Sequence, residues 1–447
     1  MRDTRRWHPG KTRMSNRSIV SPGRRLSHRW RAVCIPADVL IRKPRRVDRT
    51  LKPFISVFFA VSTTLLASPA SAQSSTSTAT VEQILSFLML NQGVQTNDFD
   101  KDLEAADATR ATLTRALLGS VATTPVGSPS GGFTYRLNPE LGTVERASDT
   151  FGPLYLERAL TSGAGQASFG FTFQYTSFRS LDGNNLRDGE FVTVANQFRD
   201  ESTPFDVERL TLDITSRTAT LAANVGITDR IDVGVSVPLV RLEIDGSRVN
   251  DYRGESLLQE RASATTTGFA DIAVRGKVRI TPATSPTAVA AAVEARLPTG
   301  REEDLLGAGE LALRFLGIAS YEASRAGVYG NIIVGTGGLG RELSYGGGVS
   351  VSPAPRLTLV GEVMLRKLAG VQGITAVVAP HPRIHGVDTT RLVPSGEDEL
   401  TGFSAFGFKW NVASGWLVQT HLLVPVSSNG LTARVTPAFA IDYSFGK

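Results

Sequence analysis

Residues 166–176 read QASFGFTFQYT, and this short stretch decides the fold. Phe169, Phe171, Phe173 and Tyr175 alternate with Gly170, Thr172, Gln174 and Thr176. Successive side chains of a strand point to opposite faces, so one face here is aromatic and the other small or polar. The pattern returns at the far end, where Leu431, Ala433, Val435, Phe439, Ile441, Tyr443 and Phe445 alternate with Thr432, Arg434, Thr436, Asp442 and Ser444. Between these ends the period stays at two. A soluble sandwich also alternates, but it closes over a core within a domain of ordinary size. A run of this length, with one apolar face per strand, fits a closed transmembrane barrel.

Twelve strands are expected, near 166–178, 207–227, 230–243, 268–281, 287–298, 308–321, 326–336, 342–352, 356–369, 399–411, 415–427 and 430–445. The fold class is therefore all-β, an antiparallel up-and-down barrel occupying residues 166–447. In the second strand Leu210, Leu212 and Ile214 fall on even positions, whereas Leu221 to Ile227 favour odd ones, which predicts a bulge between 215 and 219. Short connections near 228–230, 281–287, 322–326, 353–355 and 412–414 alternate with three long ones at 179–206, 244–267 and 370–398. Outer-membrane barrels keep short turns in the periplasm and long loops outside, so both termini are expected in the periplasm. Hydropathy is close to neutral, and no apolar run of helix-spanning length follows the N-terminal region, which excludes a helical membrane protein.

Charge divides the chain. Residues 1–72 hold 16 Lys and Arg against 3 Asp and Glu, leaving 32 of the 48 basic and 39 of the 42 acidic residues downstream, a net of −7 there. The overall basic balance thus sits in a segment expected to be removed, and a nucleic-acid partner loses its support. Within residues 47–72, Lys52 precedes an apolar run from Phe54 to Leu66 and then Ala70-Ser71-Ala72. This has the order of a secretory signal cleaved after Ala72. The run is too short for a spanning helix, which weighs against an uncleaved anchor. Residues 1–46 are an arginine-rich stretch without a period, consistent with a start codon placed too early, the true start lying at Val47. Cys34 is the single cysteine, so the mature chain has no thiol, disulfide or cysteine-bound metal.

Residues 73–165 form a separate region, expected to be periplasmic. A Ser/Thr linker gives way to helical spacing at Val81, Ile84, Leu85, Leu88 and Met89, and again at Leu103, Ala106, Leu113, Leu117 and Leu118. Residues 123–165 are rich in Gly, Pro and Thr, with a possible hairpin where FTYRL and GTVERA flank Asn138-Pro139-Glu140.

If the apolar parity faces lipid, the other parity lines the lumen. That set comprises Arg209, Asp232, Asp271, Arg275, Lys277, Arg279, Glu294, Arg296, Glu310, Arg314, Glu362, Arg366, Lys409, His421, Arg434 and Asp442. The charges suit either an ion-pair network that fills and stiffens the barrel or a mildly cationic path for small anions or amphiphiles. No catalytic residue, cofactor or metal site is expected. His381 and His385 lie four apart in PHPRIHG, but the prolines argue against a metal-binding helix. His421, on the expected lumen face, could in principle meet Ser404 or Asp442, but a histidine bonded to a lumen carboxylate is the commoner outcome. GTGGLG at 335–340 joins two strands without a helix, and so is read as a loop.

The strings GITDRIDVGVSVPLV (226–240), GFADIAVRGKV (268–278) and EARLPTG (294–300), in that order, resemble the outer-membrane transporter-like proteins of the meta-pathway of phenol degradation. The resemblance covers about residues 205 to 447. It implies a barrel in the outer membrane that passes small hydrophobic or aromatic compounds passively, with outer-membrane lipid and the barrel-assembly machinery as partners. The alternative is a structural or surface-interaction barrel with an occluded, ion-paired lumen and no transport. Such barrels often end on an aromatic residue, whereas here Tyr443 and Phe445 are followed by Gly446-Lys447.

The parity assignment makes two contrasting substitutions decisive. Val274→Arg, on the lipid parity, is expected to impair insertion, since an arginine at the bilayer midplane costs about 2–4 kcal/mol. Replacing Arg275, Lys277 and Arg279 together by Gln is expected to leave insertion intact while moving ion selectivity toward cations. Heat-modifiable gel migration reads the first effect and reversal potentials the second.

Overall fold

Strand register establishes closure. The structure, a computed structural model, describes residues 79–91, 101–130, 132–138, 143–282 and 285–446. The basic segment, the signal sequence and its cleavage position lie outside the described residues. The barrel strands are β1 (Gln166–Leu181), β2 (Asp206–Gly226), β3 (Ile231–Tyr252), β4 (Glu255–Phe269, continued by Ile272–Arg279), β5 (Thr287–Leu297), β6 (Ala312–Ala323), β7 (Ala326–Gly337), β8 (Arg341–Ala354), β9 (Leu357–Pro380), β10 (Val387–Ala413), β11 (Trp416–Pro425) and β12 (Leu431–Ala433, continued by Thr436–Gly446). Each pairs antiparallel with the next, and β12 returns to β1 with Phe439 opposite Phe173. A ring of twelve leaves no edge in the wall, so its backbone groups are satisfied without water.

The outer surface is what a bilayer demands. Leu221, Phe315, Ile332, Val349 and Phe406 point outward and stand about half exposed. A contiguous apolar belt of this extent is not tolerated in water. Near the chain ends of β1 and β12, Phe169 stacks on Phe445 with ring centroids 5.7 Å apart, and Trp416 meets Tyr443 at 4.7 Å. These rings form part of an interfacial aromatic girdle.

The second strand differs from expectation. β2 keeps one unbroken register with β3 from Asp206 to Gly226, and with β1 as well, so there is no bulge at 215–219. Even positions face inward throughout: Leu210, Leu212 and Ile214 are buried, as are Ser216, Thr220 and Asn224 further along. What changes is the surroundings, because the inside of the barrel is apolar at one end and polar at the other. Arg209 consequently faces outward, where its Nε donates to Asp251 at 2.6 Å; it does not line the lumen. β12 behaves alike, since Leu431 and Ala433 face inward before a break at Arg434, and Thr436, Ala438 and Ala440 face inward after it. Arg434 is exposed in that break, and Glu310 is exposed in the 298–311 connection outside the strands.

A bulge does occur, on β4. Leu239 pairs with Phe269 and Ser236 with Ala273, so two residues of β3 face three of β4. Pro238 lies at this point and has no N–H to give; its carbonyl accepts from Ala270 N at 2.9 Å. Two of the expected long loops are also strands. β3 and β4 meet across residues 253–254, and β9 and β10 across 381–386. Only 182–205 is irregular, and even there Phe191–Phe198 pairs with the ends of β2 and β10.

Two helices, α1 (Val81–Leu90) and α2 (Leu103–Val121), match the helical spacing. Thr80 and Gln83 form a capping box that starts α1. The helices do not form a separate periplasmic segment. They lie inside the end of the barrel opposite the short turns, where Leu85, Leu88, Leu113 and Leu117 share one buried cluster with Leu210, Leu212, Leu242, Ile244, Leu392 and Leu431. Gly246 on β3 leaves the room that Leu88 fills. The apolar inward positions of β2 and β12 thus find their partner in protein rather than lipid. Leu117→Ala is expected to weaken this docking by about 2–5 kcal/mol; amide exchange in residues 103–121 should accelerate while heat-modifiable migration persists.

Candidate functional site: a filled lumen

Past α2 the chain runs on as an extended insert through the lumen to reach β1. It contains the expected hairpin, with Tyr135–Asn138 paired to Thr143–Arg146. Residues 151–163 are all buried. An irregular backbone enclosed this way must find hydrogen-bond partners in the wall, and the lumen charges supply them. Glu362 accepts from the successive amides of Leu154, Tyr155 and Leu156, the last two at 2.9 and 3.1 Å. Lys409 donates to the carbonyl of Pro153. Asp232 accepts from Ser162 N at 3.0 Å, and Lys277 donates to the carbonyls of Arg158 and Leu160 at 3.3 and 3.0 Å. His421 Nε2 lies 2.9 Å from the Tyr155 hydroxyl rather than beside Ser404 or Asp442.

A chain of ion pairs crosses strands. Glu157 of the insert meets Arg275, whose Nε also donates to Glu294 at 3.0 Å. Glu294 further accepts from Arg296 at 3.1 Å and Arg314 at 2.7 Å, and Arg314 reaches Glu342 at 2.8 Å. Arg366 donates to the carbonyl of Thr123 at 2.8 Å. Arg275, Lys277 and Arg279 do project from one strand, but they are not a free cationic ladder: the first two hold the insert, and Arg279 binds the turn carbonyl of Pro282 at 2.8 Å. Asp271, in the middle of the bulge, accepts from Gly300 N at 3.0 Å and Ala308 N at 2.9 Å, fastening the 298–311 connection. Asp442 is bonded to Gln419.

The sequence reading missed several participants. Glu157 sits in a Gly/Pro-rich stretch with no period to place it. Glu342 shares the inward parity of Ser344 and Ser350, and that parity was the available signal. At the apolar end, Glu208 pairs with Lys101 at 2.8 Å and Arg248 at 3.4 Å, and both cations donate to the Met89 carbonyl at the end of α1. Burial holds the Lys101 ammonium below the ordinary lysine value, with Glu208 opposing the shift.

Between the end of α2, the insert and the wall lies a chamber of about 230 Å³, whose lining includes Arg296, Arg314 and Arg366 together with Met364, Phe403 and Leu423. Among the described residues no group of His, Cys, Asp and Glu could hold a metal ion. His381 instead closes its own turn, Nδ1 accepting from Arg383 N and Ile384 N.

A closed antiparallel ring of twelve strands with an apolar outer belt defines the chain as an outer-membrane β-barrel. Among solved structures it is similar to an outer membrane channel from Pseudomonas putida F1, at 12% identity over 64% of this chain and 98% of that one, with a TM-score of 0.42. It is also similar to the NanC porin, at 9% identity over 64% of this chain and all of that one, TM-score 0.31. OprB of Pseudomonas putida matches at 11% identity over 63% of this chain and 93% of that one, TM-score 0.27. No protein-family model matches the chain, and no curated protein does. The assignment rests on the register and the belt.

The grip of Glu362 on the insert gives a direct test. Glu362→Ala leaves three amides unpartnered, at about 1–3 kcal/mol for each buried group. Amide exchange across residues 151–163 is expected to rise at least tenfold, with the barrel still heat-modifiable.

Proposed function

We propose that this barrel is a passive channel of the outer membrane whose resting state is closed by its own N-terminal insert, and that it passes small hydrophobic or aromatic solutes when the insert shifts. The observation that carries the reading is the unbroken burial of residues 151–163 inside a ring of lumen charges, with a chamber left beside them. Those contacts are mostly hydrogen bonds to backbone, which can be exchanged for water without stranding the insert's own side chains. The solute class rests on the resemblance of residues 226–240, 268–278 and 294–300 to the phenol meta-pathway transporter-like proteins. In the same reading the chain is exported by its 47–72 segment and inserted by the barrel-assembly machinery, with Tyr443 and Phe445 serving as the terminal aromatic signal.

The ion pairs favour a second reading, a structural or surface-interaction barrel with a permanently filled lumen. Glu157 and Glu294 are buried with Arg275 between them, and breaking a buried pair costs about 3–5 kcal/mol.

An engineered lock separates the two. Ala159 N lies 2.8 Å from Ser320 Oγ, so a cysteine pair at these positions is within disulfide reach, and no native cysteine follows Cys34. In planar bilayers the reduced Ala159→Cys/Ser320→Cys chain is expected to show conductance steps or solute flux that oxidation abolishes. Silence in both states, with Glu362→Ala silent as well, would establish the structural barrel instead.

A further inference from the structure

We infer that the lumen chamber is a binding site for a small carboxylate with an apolar body. Its polar wall sets four arginines, Arg275, Arg296, Arg314 and Arg366, among four carboxylates, Glu157, Asp271, Glu294 and Glu342. Arg275, Arg296 and Arg314 pair with Glu157, Glu294 and Glu342, and Asp271 is taken up by the amides of Gly300 and Ala308. Among the described residues Arg366 has no ion pair; its one hydrogen bond goes to the Thr123 carbonyl. The Nε atoms of Arg314 and Arg366 are buried without a partner. Orphaned buried donors of this kind call for a ligand or water, and a guanidinium fork matches a carboxylate better than any neutral group.

The apolar half of the site adjoins the charge. Met364 shares the inward face of β9 with Arg366, two residues away, and pairs across the sheet with Phe403 of β10, while Leu423 of β11 lies beyond. A step of two along a strand spans about 6–7 Å, the distance from a carboxylate to the far side of a six-membered ring. A chamber of about 230 Å³ has room for a monocyclic aromatic or a short-chain acid. This names a ligand class for the channel proposed above and depends on that reading for its purpose, so the test measures binding and not flux.

Benzoate is the probe and benzamide its neutral isostere. Equilibrium dialysis against the full mature barrel in nanodiscs is expected to show one saturable benzoate site per barrel and at least tenfold weaker benzamide binding. Arg366→Gln should weaken benzoate at least tenfold, and Phe403→Ala should weaken both probes. If Arg366→Gln loses heat-modifiable migration, Arg296→Gln replaces it with the same expectation. Arg434→Gln, exposed outside the chamber, should change nothing. The inference is overturned if benzoate shows no saturable site, if benzamide binds equally well, if the inserted arginine variant binds as before, or if Arg434→Gln weakens binding as much. Binding without conductance in the cysteine-lock experiment would retain the site and remove the channel.

Discussion

Pairing of β12 with β1 is the constraint on which everything else depends. Once Ala438 through Gly446 lie against Gln166 through Gln174, every wall residue is committed to one of two environments. Outward side chains meet lipid and must be apolar across the belt. Inward ones meet whatever fills the lumen, and a twelve-strand ring is wide enough to hold more than its own side chains. The N-terminal region provides that filling. The two inward-facing chemistries along the barrel axis are therefore explained by one insert with two characters, amphipathic helices at one end and an extended polar segment at the other.

That division shows why alternation reads the wall well and the lumen only partly. Period two reports which residues share a face, and from Val233 to Leu239 that suffices, because the apolar residues there face outward and Ser236 faces inward. It does not report what the face meets. Leu210, Leu212 and Ile214 look like lipid-facing residues that have slipped register, yet they hold their register and face α1 and α2. Arg209 follows the same logic in reverse: beyond the belt a charged residue faces water outside the barrel as comfortably as another faces the lumen within it. The stretches 244–267 and 370–398 carry charge on their outer face for the same reason, and so they resembled loops although they are strands.

Residue by residue, the site was legible where a charge interrupted an alternating strand. Lys277, Glu294, Glu362 and Lys409 stood out because a charged residue among apolar neighbours has only the lumen to face. Their partners were not legible. Glu157, and the amides of residues 154–156 and 162, belong to a segment whose backbone follows no repeat, and an irregular backbone advertises its hydrogen-bonding needs only once it is enclosed. A charge row such as Arg275, Lys277 and Arg279 accordingly reads as a permeation feature in sequence, while in the fold it is largely a set of clamps.

The same clamps decide how firmly each part of the insert is held. A carboxylate such as Glu362, holding three consecutive amides, grips the insert without reference to its side chains, so the grip is strong while the lumen is dry and weakens as water competes for both partners. The ion-pair chain from Glu157 through Arg275 and Glu294 to Arg314 and Glu342 resists that exchange, since each carboxylate in it is shared by more than one group. Arg366 lies beyond the end of this chain, near Glu342 and Glu399 but in no direct ion pair among the described residues. The wall thus holds the insert in two ways: near Thr123 by the Arg366 bond to its carbonyl beside the apolar packing of Val121, and at Glu157 by a buried ion pair.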